Sequence, residues 1–270
     1  AAVLRYRGNT IIQIKSGTRE EKKMAGILEV CADSMESALA AERGGADRIE
    51  LCGNLVIGGT TPSQALFEKI RKETSLKIRV LLRPRFGDFC YSQNEYEILK
   101  EEVKLFRRLG ADGIVIGCLN PDGSLNMEQM QGLIAEAGDM DVALHRAFDV
   151  SRDALEALEQ AISLGCRTIL TSGQKNSAWE GREFLAKLQQ ESRGRIEILA
   201  GSGIKPEIID QLHEETGIAS YHMSGKVVVE SKMTFRREGV NMGLPGFSEY
   251  EIWQSSVEKI KEARKIVDQF

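Results

Sequence analysis

From residue 27 onward the chain alternates short apolar runs with longer amphipathic stretches. The apolar runs predict strands over Ile27–Ala32, Arg48–Cys52, Ile78–Pro84, Gly113–Gly117, Val142–Ala147, Thr168–Ser172, Ile196–Gly201 and Tyr221–Ser224. The stretches between them predict helices over Ser34–Arg43, Pro62–Glu73, Ser92–Leu109, Asn126–Ala137, Ser151–Leu164, Ala178–Glu191 and Pro206–Glu215. Ser34 is an N-cap, Pro62 suits a first helical turn, and Gly44-Gly45, Gly110, Gly138 and Gly165 end helices where a left-handed residue is needed. Strands joined by helices of this length form a parallel sheet. Eight such units predict an α/β fold, a (β/α)8 TIM-type barrel, as a single domain over 27–270. After the eighth strand, Lys226–Gly246 is rich in glycine and charge and reads as irregular; a last helix is expected over about Glu249–Val267. Residues 1–26 read as a flexible N-terminal extension.

Barrel strands send alternate side chains outward to the helices and inward to the axis. Outward residues must be apolar, which fixes the parity of several strands. Leu28 and Val30 face out, so Glu29 and Cys31 face in. Ile49 and Leu51 face out, so Glu50 and Cys52 face in. By the same argument Arg83 and His145 face in, and His222 shares a face with Ser224. On the sixth and seventh strands both faces carry apolar residues, and parity stays open. Inward charge is costly unless paired. We expect it at the C-terminal ends of the strands, where barrel sites are built.

Composition changes the picture mainly by exclusion. A net charge of −4 gives no bulk attraction to nucleic acid or to an anionic membrane. No run is long and apolar enough to span a bilayer, and the first residues lack the apolar core of an export signal, so a cytoplasmic location is expected. The five cysteines, Cys31, Cys52, Cys90, Cys118 and Cys166, are odd in number and widely spaced, which favours reduced thiols over a disulfide framework.

Three kinds of chemistry gather at the expected barrel mouth. Cys31 and Cys52 take equivalent inward places on adjacent strands, about 4.8 Å apart, so two thiolates can share one soft ion. Two thiolates suit Cu(I) better than four-coordinate zinc. Glu29, Glu50, His145 and Asp149 are candidate acid–base residues. Arg83 and Arg85, with Asp88, Arg146, Ser172, Gly201, Gly203 and His222, are candidates for holding a small anionic ligand, phosphorylated or sugar-like. His213 and both tryptophans read as surface or packing residues. No reaction can be assigned from these residues.

The runs Leu28-Glu29-Val30-Cys31, Arg48-Ile49-Glu50-Leu51-Cys52, Gly58-Gly59-Thr60-Thr61-Pro62-Ser63, Arg83-Pro84-Arg85-Phe86-Gly87-Asp88-Phe89, His145-Arg146-Ala147-Phe148-Asp149 and Leu170-Thr171-Ser172-Gly173 resemble those of the CutC copper-homeostasis proteins. The resemblance covers about residues 27–250. It implies a TIM-type barrel, a cytoplasmic homo-oligomer (dimer or tetramer), Cu(I) binding through Cys31 and Cys52, and a role in copper homeostasis. Ser202 stands where a third glycine is frequent in the family, Phe86 where a second glycine is common, and Cys118 lies outside the motif set.

Overall fold

The computed structural model of the chain describes residues 26–240, 242–243 and 246–270. Eight parallel strands close into a barrel in sequence order: β1 (Leu28–Ala32), β2 (Arg48–Leu51), β3 (Lys77–Leu81), β4 (Gly113–Ile116), β5 (Asp141–Leu144), β6 (Thr168–Thr171), β7 (Glu197–Ala200) and β8 (Ser220–Met223). The ring shuts where β8 pairs with β1 and sets Glu29 beside His222. Between the strands lie α1 (Met35–Gly44), α2 (Gln64–Glu73), α3 (Gln93–Arg108), α4 (Met127–Ala137), α5 (Ala154–Ser163), α6 (Arg182–Ser192) and α7 (Pro206–Thr216). The eight-stranded barrel expected from the apolar rhythm is therefore the fold.

The helix starts follow local chemistry. The side chains of Ser34, Ser63, Asn126 and Asp153 each accept a hydrogen bond from an otherwise unpaired first-turn N–H, and Ser92 forms a reciprocal capping box with Glu95. Such a cap is worth about 1 kcal/mol. Asp153, rather than Ser151, starts α5, because Arg146–Val150 first makes a 3-10 turn.

Two apolar layers hold the barrel. The larger lies between sheet and helices, where Val30, Ile49, Ile78 and Ile114 meet helix residues including Phe67 and Phe106, whose rings pack edge to face at 5.4 Å. The smaller lies inside and consists of Cys31, Cys52, Leu81, Val115 and Ala143. This division confirms the inward parity read for Cys31 and Cys52.

The region after β8 departs from expectation. Lys226–Glu230 forms a strand, β9, and Glu251–Ser255 a strand, β10; the two pair antiparallel. Three consecutive β-branched valines in β9, and Ile252 and Trp253 in β10, favour extended backbone over helix. The last helix, α8 (Val257–Val267), thus begins later than expected, where Ser256 caps it by accepting from Lys259 N. It packs against α1 and α7 and completes the helical ring, with Ile260 filling the space beside Gly44. Of the expected N-terminal extension, residues 1–25 lie outside the described residues. Gly26 belongs to the barrel, buried against Val267. No described helix is long and apolar enough to cross a membrane.

Candidate functional site

An ionic network occupies the lower half of the barrel interior. Glu29, the second residue of β1, is paired with Arg48 and lies 3.6 Å from Arg79. Arg48 also donates to Glu197 across the barrel at 3.0 Å, and Arg79 donates to Thr168 at 3.0 Å. Residues of β2 and β7, or of β3 and β6, can meet this way only through the interior. This settles the open parity of β6 and β7: Thr168 and Glu197 face in. Burial alone would raise the Glu29 carboxyl, but Arg48, His222 and Arg79 outweigh it and hold it well below the usual carboxylate range. Glu29 therefore does not sit at the C-terminal mouth, contrary to the expectation for inward charge. Its place as the second residue of β1, in register with Arg48 at the start of β2, sets it low in the barrel, where the charges of Arg48 and Arg79 require a buried counter-ion. The alternation that exposed Glu50 and Arg83 carries Arg48 and Arg79 on the same parity, and that signal was available in the sequence.

Above the network sit His222, Glu50 and the two thiols. His222 Nδ1 lies 2.8 Å from Glu29 Oε1, and its Nε2 lies 3.8 Å from Glu50. Burial would strip the His222 proton; contact with Cys31, the Glu29 hydrogen bond and the charge of Glu50 outweigh this and raise its pKa well above the ordinary imidazole value. Burial, reinforced by Glu29, pushes the Glu50 carboxyl up to about 7 against the pull of His222 and Arg79. Cys52 is wholly buried, its thiol donating to Ala32 O at 3.5 Å. Burial first, then Glu50, Cys31 and Asp33, push that thiol well above its ordinary pKa. Cys31 borders two cavities, of about 390 Å³ and 250 Å³. Among the described residues, no three His, Cys, Asp or Glu side chains converge as a metal-holding cluster.

The loop residues take varied places. Arg83 is buried and donates to the carbonyls of Gly59 at 3.1 Å and Gly87 at 2.8 Å, with its guanidinium over the Phe89 ring. Arg85 pairs with Glu95 and with the exposed Asp88. Both arginines thus tie loops together. His145 is buried, its Nδ1 accepting from Ala147 N at 3.1 Å, while Nε2 has no partner. Burial and the nearby Arg83 lower its pKa to about 3, so it is neutral at physiological pH. Asp149 accepts from Arg146, Thr171 and the backbone N–H groups of Ser172 and Gln174, which locks the loop after β5 to the loop after β6. Ser172 lies within this lock, accepting from Arg146 at 2.9 Å.

The larger cavity brings Cys31 and His222 together with Arg146, Gly203, Lys205 and Lys226 at the C-terminal end of β7 and β8. Gly201 lies below it; a Cβ there would run into Leu170. Ser202 adopts a left-handed φ of 73° and its hydroxyl holds Asn176 O at 2.7 Å, so serine fills a glycine-type position by pinning two loops. Lys205 precedes α7 without a side-chain cap, which leaves that helix start open to the cavity. His213, expected at the surface, instead stacks on Phe270 at 3.8 Å and bonds Ile218 O.

Comparison with known proteins bears on this arrangement. The model of the CutC family matches residues 26–227. A CutC family protein of Chromobacterium violaceum is 41% identical, over 91% of this chain and 99% of its own. A human protein named copper homeostasis protein cutC homolog is 40% identical, over 89% of this chain and 88% of its own. The solved structure of a CutC protein from Streptococcus agalactiae superposes with a TM-score of 0.71 at 29% identity, covering 74% of this chain and 98% of that one. A thiamine phosphate pyrophosphorylase from Pyrococcus furiosus, at 15% identity and a TM-score of 0.56, shares the barrel fold alone. On the length and identity of these matches, the chain belongs to the CutC family.

Proposed function

We propose that this protein serves copper homeostasis as a cytoplasmic homo-oligomer, holding Cu(I) as cargo between Cys31 and Cys52 at the barrel mouth. The observation that carries this reading is the placement of both thiols in one small inner cluster, with Cys31 bordering two cavities. Soft sulfur ligands suit Cu(I), which tolerates two-coordination, whereas a structural zinc site takes four ligands. Burial holds the Cys52 thiol protonated before loading, so uptake at that sulfur must release a proton. The human relative carries the copper-homeostasis name. The net charge of −4 supports neither a nucleic-acid nor a membrane-surface partner. X-ray absorption on the Cu(I)-loaded chain should show a first shell made of sulfur. A shell of nitrogen and oxygen only would refute the assignment.

A second reading is an enzyme acting on a small anionic metabolite. The start of α7 beside Arg146, Gly203 and Lys205 favours it, because the positive end of a helix and nearby cations suit a phosphate or carboxylate. Glu50, its carboxyl pushed up to about 7 by burial, is a candidate proton carrier 3.8 Å from His222, which lines that cavity. Inorganic phosphate should then raise the melting temperature, and Lys205→Ala should reduce the rise. No rise in the wild type would sink this reading.

A further inference from the structure

Strand β9 has β10 on one side and, among the described residues, no strand on the other. Ser231 N donates to Tyr250 O, so the alternation of an antiparallel ladder turns the backbone of Val227 and Val229 toward β10. The N–H and C=O groups of Val228 and Glu230 then point to the outer edge. Natural proteins guard such an edge or use it. Here the edge reads Lys226-Val227-Val228-Val229-Glu230, a sequence complementary to its own reverse.

We propose that two copies of this chain associate through β9, pairing antiparallel about a two-fold axis at Val228. In that register Val228 faces Val228 of the other copy, and Val227 faces Val229. Lys226 of each copy lies directly opposite Glu230 of the other, the favourable cross-strand arrangement of opposite charges. A two-fold interface requires such self-complementarity. The surroundings suit it. Val228 is 53% exposed, and eight of the twelve large exposed apolar side chains among the described residues fall between 228 and 252, including Phe235 and Ile252. Neither charged residue is committed elsewhere by a buried pair: Glu230 meets the half-exposed Arg236 at 3.1 Å, and Lys226 rests on the Trp253 ring. Lys226 O accepts from Lys259, but a carbonyl retains a second acceptor site.

The interface deepens the homo-oligomer part of the proposed function and is independent of copper. Sedimentation of the full chain tests it, and copper binding of the same variants reports separately on the thiol site. The wild type should sediment as a dimer or a dimer-based assembly. Lys226→Glu, and separately Glu230→Lys, should each place like charges opposite one another twice and weaken association roughly tenfold or more. The double variant Lys226→Glu/Glu230→Lys should recover most of that loss, a rescue that simple damage to the hairpin would not give. Val228→Pro removes an outward N–H that β10 does not use, and should also weaken association while the barrel stays folded. A monomeric wild type, single variants that associate as the wild type does, or a double variant no better than the singles would each overturn the proposal.

Discussion

Arg48→Met is expected to destabilise the fold by about 3–5 kcal/mol, the range for removing one partner of a buried ion pair. Arg48 and Glu29 have side chains only 10% and 2% exposed, and Arg48 also reaches Glu197 at 3.0 Å. Methionine fills the space but leaves the Glu29 carboxylate in a barrel interior with only Arg79 and His222 beside it. Chemical denaturation near neutral pH should register the loss. The pH dependence follows from the sign of the shift. A carboxyl held below its unfolded value of about 4.3 contributes stability above that pH and loses it as pH falls toward the folded value. The deficit of Arg48→Met should therefore narrow below about pH 4. Adding Glu29→Gln should recover part of it, because the orphaned charge is then gone. A single variant as stable as the wild type would mean that the network is not a paired interior charge.

The residues that frame the site were legible to different depths, for physical reasons. Strands β1, β2, β3, β5 and β8 carry apolar residues on one face, so Glu29, Cys31, Glu50, Cys52, Arg83 and His145 could be placed inside from alternation. Strands β6 and β7 were ambiguous because Leu170 and Leu199 line the interior while Ile169 and Ile198 line the helices. Only the cross-barrel contacts of Thr168 and Glu197 reveal the inward face. Height along the barrel axis was a harder matter. Alternation gives the face but not the level, and the depth of Glu29 follows from the register of β1 against β2 and β8. The loop arginines were harder still. Arg83 and Arg85 looked like anion clamps, but their donors go to carbonyls and carboxylates of their own loops, a choice made by backbone conformation. The segment after β8 was misjudged because its strands are joined by a long excursion, so neither alternating run was long enough to stand out.

The central claim concerns Cys31 and Cys52. Loss of both thiols removes every sulfur ligand from the proposed site, and Cys31→Ser/Cys52→Ser should lower Cu(I) affinity at least about a thousandfold, ~4 kcal/mol. Serine nearly preserves shape, so the barrel should fold as before. Cys118 and Cys166 serve as internal controls: burial pushes each thiol up to about 12, and neither belongs to the inner cluster that holds Cys31 and Cys52. The deciding measurement is an anaerobic Cu(I) titration against a competing chelator, run on the wild type, on Cys31→Ser/Cys52→Ser and on Cys118→Ser/Cys166→Ser. One tightly bound Cu(I) per chain, kept in the control and lost in the Cys31/Cys52 variant, is the predicted result. Equal binding by all three proteins, or no tight binding by the wild type, would contradict the account.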